Sequence, residues 1–325
     1  MNLFVDSAVE ALHMCVRTVP ILTATLIAVD VLRVLGVMSR LSFIVAPIAR
    51  AARLSKEGTL ALIASVGSTI SADSMTAGYY REGRMRGRDA LLSAQANTIP
   101  AYLRESFTYF LPIIIPLLGV GPGILYVSAF LMNAAMKIAF VLTAGRWITP
   151  NCANGGTVAM DVRTTVASED RQSRRGILAG QLRKSAGMIL RITSLLFAAS
   201  FVIIVLDKSG LLSFISVLVK PTMAMLQIPE SLFVPICGYI ASPTAGAAAL
   251  GTMYKAGEHS LYCTAAAALI GGILSLTVAT VRYSIPRNIA MFGPKIGGVN
   301  VAVGFGLAFF SRALLIIVMA GIFLR

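Results

Sequence analysis

The stretch VGSTISADSMTAGYYREGRMRGRD, residues 66–89, joins two compositions that seldom adjoin. Its first half sets Ser68, Thr69, Ser71, Asp73 and Ser74 inside a strongly apolar chain, and its second half follows with Arg81, Arg84, Arg86 and Arg88. Whether residues 58–79 cross a membrane or dip into it and return decides the fold. About 20 apolar residues suffice to cross. The middle of this segment, Gly67 to Asp73, is instead made of poor helix formers whose side chains compete for their own backbone. The alternative is two half-helices folded back as a re-entrant hairpin, a backbone tolerated at that depth only where protein buries it or it lines a cavity.

The rest of the chain supplies the membrane. Of 325 residues, 57% are hydrophobic and 13% charged, against roughly a quarter charged in a soluble protein, and mean hydropathy is +0.81. The net charge of +14 reads as Arg and Lys gathered on cytoplasmic loops, so lipid is an expected partner and nucleic acid is not. Asp6 and Glu10 stand where a cleavable signal would carry positive charge, so the first apolar segment is expected to be retained. Cys15, Cys152, Cys237 and Cys263 show no paired spacing, and His13 and His259 are the only histidines. No disulfide framework and no metal site is expected.

The chain also repeats itself. One constant offset sets Met14 and Arg17 on Met188 and Arg191, and Pro47 on Pro221. The same offset sets Ser68 on Ser242, Tyr80 on Tyr254, Gly83 on Gly257, Pro112 on Pro286 and Gly119 on Gly293. Shared apolar composition would align Leu and Val by chance, but not Gly, Pro, Tyr and Arg over such a length. The expected organisation is a first repeat at 1–147, a polar linker at 148–185 and a second repeat at 186–325. Within the first, a span at 12–35 precedes an amphipathic piece at 40–56 and the quoted stretch. A long segment at 90–117, interrupted by Pro100 and Pro112, then leads into a final span at 122–146.

Arginine placement chooses between the two readings of 58–79. With a hairpin there, each repeat has three crossings and the two insert in opposite orientations. An outside N-terminus then puts most of the 28 Lys and Arg on the inner face, the linker and the Arg81–Arg88 cluster included, as topology demands. A crossing segment would put that cluster outside. The fold class expected is therefore an all-α polytopic membrane protein of two inverted-topology repeats, each with three transmembrane spans and one re-entrant helical hairpin. In the second repeat the hairpin is expected at Ile236–Tyr254, with Ser242, Thr244 and Gly246 at its tip.

Inverted repeats with broken helices that meet at mid-membrane are a plan of secondary transporters. The Gly-Ser-Thr tip at 67–69, the Tyr-Tyr-Arg-Glu-Gly base at 79–83 and the Asn97…Pro100 and Tyr109…Pro112 helix carry a resemblance to a family. In these the chain resembles the nucleoside-recognition, or Gate, domain of concentrative nucleoside transporters and of the membrane part of ferrous-iron transporters. The resemblance implies a solute pathway between the two hairpin tips. It departs from the iron transporters in having no Cys at the first tip, which counts against an iron pathway.

The expected function is secondary-type transport, across a cell membrane, of a small polar solute that is anionic or nucleoside-like and bound between the hairpins. The alternatives are a divalent-metal permease and a non-transporting scaffold or lipid-handling protein. A scaffold should pair off its intramembrane charges and leave no wetted cavity, whereas a transporter should keep a cavity with an unpaired cation. No enzyme is expected, since the chain lacks HExxH, GxSxG, Walker A and any acidic metal cluster. Ser68, Thr69 and Ser71 are candidates to hydrogen-bond solute, or else to cap the half-helices. Asp73 is the candidate acid for a coupling Na⁺ or H⁺, because a carboxylate in a membrane hairpin is expensive and usually functional. Asn97, Arg104 and Glu105 on the third segment, Asn133 and Lys137 on the last span, and Arg282 in the second repeat complete the expected site. No other cofactor is expected, and a homo-oligomer is compatible with the sequence.

Overall fold

The computed structural model describes residue 12 and residues 42–66, 68–148 and 213–323. Every regular element among them is helical. Residues 13–35 of the expected first span, most of the linker and Gly67 of the hairpin tip lie outside the described residues.

Residues 58–79 do not form one helix. Helix α1 (Ser42–Ala51) leads to α2 (Lys56–Ser65) and α3 (Thr69–Arg81), which lie against each other. Ser55 opens α2 by accepting the Gly58 N–H, and Ser68 opens α3 from an extended backbone (φ −150°, ψ 117°) by accepting the Ser71 N–H at 3.3 Å. With 10 and 13 residues, the two helices are about 15 and 20 Å long, short of the ~30 Å hydrocarbon core. The hydroxyl run thus breaks the helix by capping a new one.

The second hairpin follows the same plan. Helices α8 (Ser213–Met225), α9 (Phe233–Ala241) and α10 (Pro243–Lys255) repeat α1 to α3, with Ser242 extended between α9 and α10 (φ −159°, ψ 130°) where Ser68 stands in the first unit. Pro243 takes the first helical position, where its missing N–H costs nothing.

The third segment of each unit is broken in matching places. In the first it runs through α4 (Gly87–Asn97), α5 (Ile99–Glu105), a π-helical stretch (Ser106–Ile114) and α6 (Ile115–Leu118). In the second, α11 (Leu261–Ala279) meets a π-helical stretch at Thr280–Ser284, and Thr280 is the mate of Ser106. Pro112 lies inside the first π stretch and Pro286 just beyond the second; a proline removes a ladder N–H and crowds the preceding turn, which a wider turn relieves. Pro100 sits in the first turn of α5 and is not itself the interruption, which falls at Thr98. Glycines at positive φ close corresponding turns in both units: Gly83 (72°) with Gly257 (76°), and Gly119 (100°) with Gly293 (78°). Helix α7 (Val120–Ile148) completes the first unit, and α12 (Ile285–Phe323), bent at Gly293, completes the second. Two stretches, Val120–Arg146 and Leu261–Phe323, are long and apolar enough to cross a membrane.

The units hold each other through mated bonds. Arg81, at the base of the first hairpin, donates to the carbonyls of Ala290 and Met291, both at 2.8 Å. Lys255, the mate of Arg81, donates at 2.7 and 3.3 Å to Pro116 and Leu117, the mates of Ala290 and Met291. Each of these side chains thus bonds the residues that correspond, at the constant sequence offset, to those the other bonds. The main core forms where Phe110, Tyr126 and Phe130 of the first unit pack with Tyr239, Leu250 and Leu269 of the second. A smaller core of Leu54, Leu62, Leu92, Ile99 and Val141 lies beneath the first hairpin.

Candidate functional site

Between α3 and the second unit's third and last segments lies a cavity of about 180 Å³. Its charged lining is Asp73, Lys137 and Arg287. The α3 helix brings Asp73 in at its second turn; the residue is 3% exposed and its Oδ1 accepts from Asn97 Nδ2 at 3.2 Å. Asn97 is fully buried, and the same amide donates to Thr76 Oγ1 at 3.1 Å. It stands at the end of α4, so the break at Thr98 fixes both the carboxylate and its partner.

Lys137 arrives from the middle of α7 and is 4% exposed. Its Nζ donates to Thr98 Oγ1 at 2.9 Å and lies 5.0 Å from the Tyr102 ring centroid, a cation–π placement. Arg287 lines the cavity from the first turn of α12 and is exposed, so it stands at the mouth. Among the described residues the ion pairs are Arg84 with Glu57 and Glu82, and Lys220 with Glu230. Neither cavity cation has a carboxylate within salt-bridge distance there.

One wall is a ladder of carboxamides that ties the units together. Gln95 Nε2 donates to Asn300 O at 2.8 Å and to Asn300 Oδ1 at 2.6 Å; Asn300 Nδ2 donates to Asn288 Oδ1 at 2.7 Å, and Asn288 Nδ2 to Ser284 O at 2.8 Å. Gln95 Oε1 and Asn97 Oδ1 are buried acceptors with no partner, an arrangement that costs about 1–3 kcal/mol per group unless something donates to it.

Of the residues expected at the site, Asp73 and Lys137 line this cavity and Asn97 stands directly behind Asp73. The others do not line it. Ser68 caps α3, Ser71 is exposed, and Thr69 Oγ1 is buried without a partner. Arg104 donates to Val66 O at 3.3 Å, and Glu105 is exposed beside it. Asn133 is buried with Oδ1 unpartnered. Arg282 is exposed and rests on the Tyr283 ring, because it falls inside the π stretch, where counting 3.6 residues per turn no longer gives the face. Ser242 and Thr244 hydrogen-bond each other at 2.6 Å.

No residue of the second hairpin lines the cavity, and Gly246 shows why. A Cβ there would fall 2.0 Å from the Tyr239 ring, and a Cβ on Gly271, the mate of Asn97, would fall 2.4 Å from the same ring. Tyr239 is itself the mate of Ser65, and it is fully buried. The pair Ser65 and Asn97 in one unit is thus replaced by Tyr239 and Gly271 in the other, where an aromatic ring fills the corresponding space.

Gln95, Arg287, Asn288 and Asn300 are among the lining residues that sequence reasoning passed over. A signal was available: their mates are Leu269, Ile113, Ile114 and Tyr126, so each is a position where one copy is polar and the other apolar or aromatic. Among the described residues no group of three His, Cys, Asp or Glu converges as a metal site would require.

Comparison with known proteins returns relatives along nearly the whole chain. The uncharacterized protein MJ0871 of Methanocaldococcus jannaschii is 23% identical over 312 residues, 93% of each chain. The uncharacterized protein MJ0880 of the same organism is 21% identical over 295 residues, 89% of this chain and 91% of its own. No family model matches the chain. No solved structure matches it.

Proposed function

We propose that this is a polytopic cell-membrane protein that carries a small polar solute, anionic or nucleoside-like, through the cavity between α3 and α12. The observation that carries this reading is the cavity itself. It lies in an apolar helical bundle, yet it holds the buried Lys137, and Arg287 at its mouth, with no carboxylate in salt-bridge distance among the described residues. Charge at membrane depth costs at least ~2.5–3.5 kcal/mol per group. A bundle that only sealed itself would neutralise such groups or replace them with leucine.

The mated bonds support the inverted-repeat topology. The run from Gly87 to Leu118 is at most about 48 Å long at 1.5 Å per residue, so it separates the hairpin base of a unit from its far turn. The base of each hairpin is bonded to the far turn of the other unit. The two bases therefore stand at opposite ends of the bundle, as two copies inserted oppositely would place them. In this reading the Arg81–Arg88 cluster and the linker face the cytoplasm and the N-terminus faces outward. Asp73, the one acid on the cavity wall, is the residue to take a coupling H⁺ or Na⁺. The likeness to Gate-domain transporters agrees with this plan, though the solute lies beside one hairpin and not between two tips.

The experiment is uptake into proteoliposomes by the full chain and by Gly304→Leu. Gly304 lines the cavity, and a Cβ there would meet nothing closer than 3.6 Å. A leucine would extend into the space beside Gln95 and Lys137, whose Nζ lies 3.8 Å from that Cβ, while removing no charge. Saturable uptake by the wild type that Gly304→Leu removes is the expected result. Equal uptake by both proteins would refute the cavity as the pathway.

A further inference from the structure

Size and charge together narrow the solute. We infer that the cavity takes a compact monoanion, a short hydroxy-monocarboxylate, and that a nucleoside does not fit it; this rests on the reading of the cavity as the solute site.

The cavity volume is about 180 Å³. Pockets for drug-sized ligands run from ~300 to 1,000 Å³. A base joined to a ribose belongs with the latter, whereas a carboxylic acid of two or three carbons belongs here.

Charge fixes the valence. With Asp73 ionised, the lining carries two positive charges, Lys137 and Arg287, and one negative. One added anion makes the occupied site neutral, while a dianion would leave excess negative charge beside Asp73. Lys137 is a fixed point charge at depth, held by Thr98 and Tyr102. Arg287 at the mouth offers a planar fork suited to a carboxylate's two oxygens.

The hydroxyl follows from an acceptor that lacks a donor. Gln95 is 2% exposed and lines the cavity; its Nε2 donates to Asn300, and its Oε1 is unpartnered. A bare carboxylate has nothing to donate to it. A hydroxyl on the adjacent carbon does, and an unmatched buried polar group discriminates strongly between such analogues.

The test is binding to the purified full chain by isothermal titration at constant ionic strength, with lactate, glycolate, propionate, succinate, glycine and uridine as probes. Lactate and glycolate should bind saturably, with propionate at least tenfold weaker and succinate and uridine weaker still. Arg287→Gln should weaken lactate binding at least tenfold, and Gly304→Leu, which keeps every charge, should remove it. Arg282→Gln, outside the cavity, should leave it unchanged. Uridine or succinate binding tighter than lactate, and lost in Gly304→Leu, would overturn the solute class while leaving the cavity as the site. Binding of any probe that is indifferent to Gly304→Leu, or no binding at all, would overturn both.

Discussion

Adding one methyl group to a glycine should have opposite consequences at two places in this bundle. At Gly271, mid-α11, the new Cβ would lie 2.4 Å from Cδ2 and 2.7 Å from Cγ of Tyr239. The ring has little room to withdraw, because Tyr239 is fully buried and the same ring atoms are pressed on Gly246, where a Cβ would lie 2.0 Å away. Overpacking of this kind costs about 1–3 kcal/mol. Replacing a mid-helix glycine by alanine returns about 0.5–1 kcal/mol through lost chain freedom, so Gly271→Ala should be a net loss of up to about 2 kcal/mol. At Gly304 the new Cβ meets Gln95 and Lys137 atoms at 3.6–3.8 Å, ordinary contact. Gly304→Ala should therefore keep only the favourable term and stabilise the protein. Thermal unfolding in detergent, followed by loss of monodisperse protein, should rank Gly304→Ala above wild type and Gly271→Ala below it. Combining Gly271→Ala with Tyr239→Leu should recover part of the loss by removing the ring that is struck. If Gly271→Ala melted with Gly304→Ala, the ring would not occupy that space, and the account of a filled second site would fail.

Three further outcomes follow from the same geometry. In a background lacking native cysteines, Arg84→Cys should label only from the cytoplasmic side and its mate Glu258→Cys only from the opposite side; labelling of both from one side would refute inverted insertion. Asp73→Asn should abolish dependence of uptake on an ion gradient while the protein stays folded, and unchanged dependence would remove Asp73 from coupling. Tyr239→Phe should be neutral or up to about 1 kcal/mol stabilising, because the hydroxyl is buried with no partner; a loss above 1 kcal/mol in the same thermal assay would mean that the hydroxyl is bonded.

The helix breaks and turns were legible because they rest on residues that cannot be exchanged without consequence. Gly83 and Gly257 hold the same left-handed turn, Ser68 and Ser242 open the same half-helix, and Arg81 and Lys255 make the same bonds across the bundle. Membership of the site was less legible, for two physical reasons. The π stretches at Ser106 and Thr280 shift the angular register, so a face counted through them points Arg282 into the cavity when it lies outside. The lining is also completed across units, Gln95 by Asn300 and Asp73 by Arg287, and periodicity within one segment carries no information about that pairing.

What links the two halves of the problem is the way the copies differ. A bundle built from two mated units would by default hold two equivalent cavities, and each would carry the cost of charge at membrane depth, ~2.5–3.5 kcal/mol or more per group. The sequence resolves this by opposite choices at mated positions. Asp73 and Ala247, Gln95 and Leu269, Asn97 and Gly271, Arg287 and Ile113, and Lys137 and Ser311 each give polar or charged character to one site and small or apolar character to the other, although the buried Arg312, beside Gly272 and Tyr126, keeps one cation in the second. Tyr239 then closes the second site, its ring filling space that only Gly246 and Gly271 leave open. In the proposed reading, duplication supplies the docking of one unit on the other, and divergence at these few positions makes the two sites unlike.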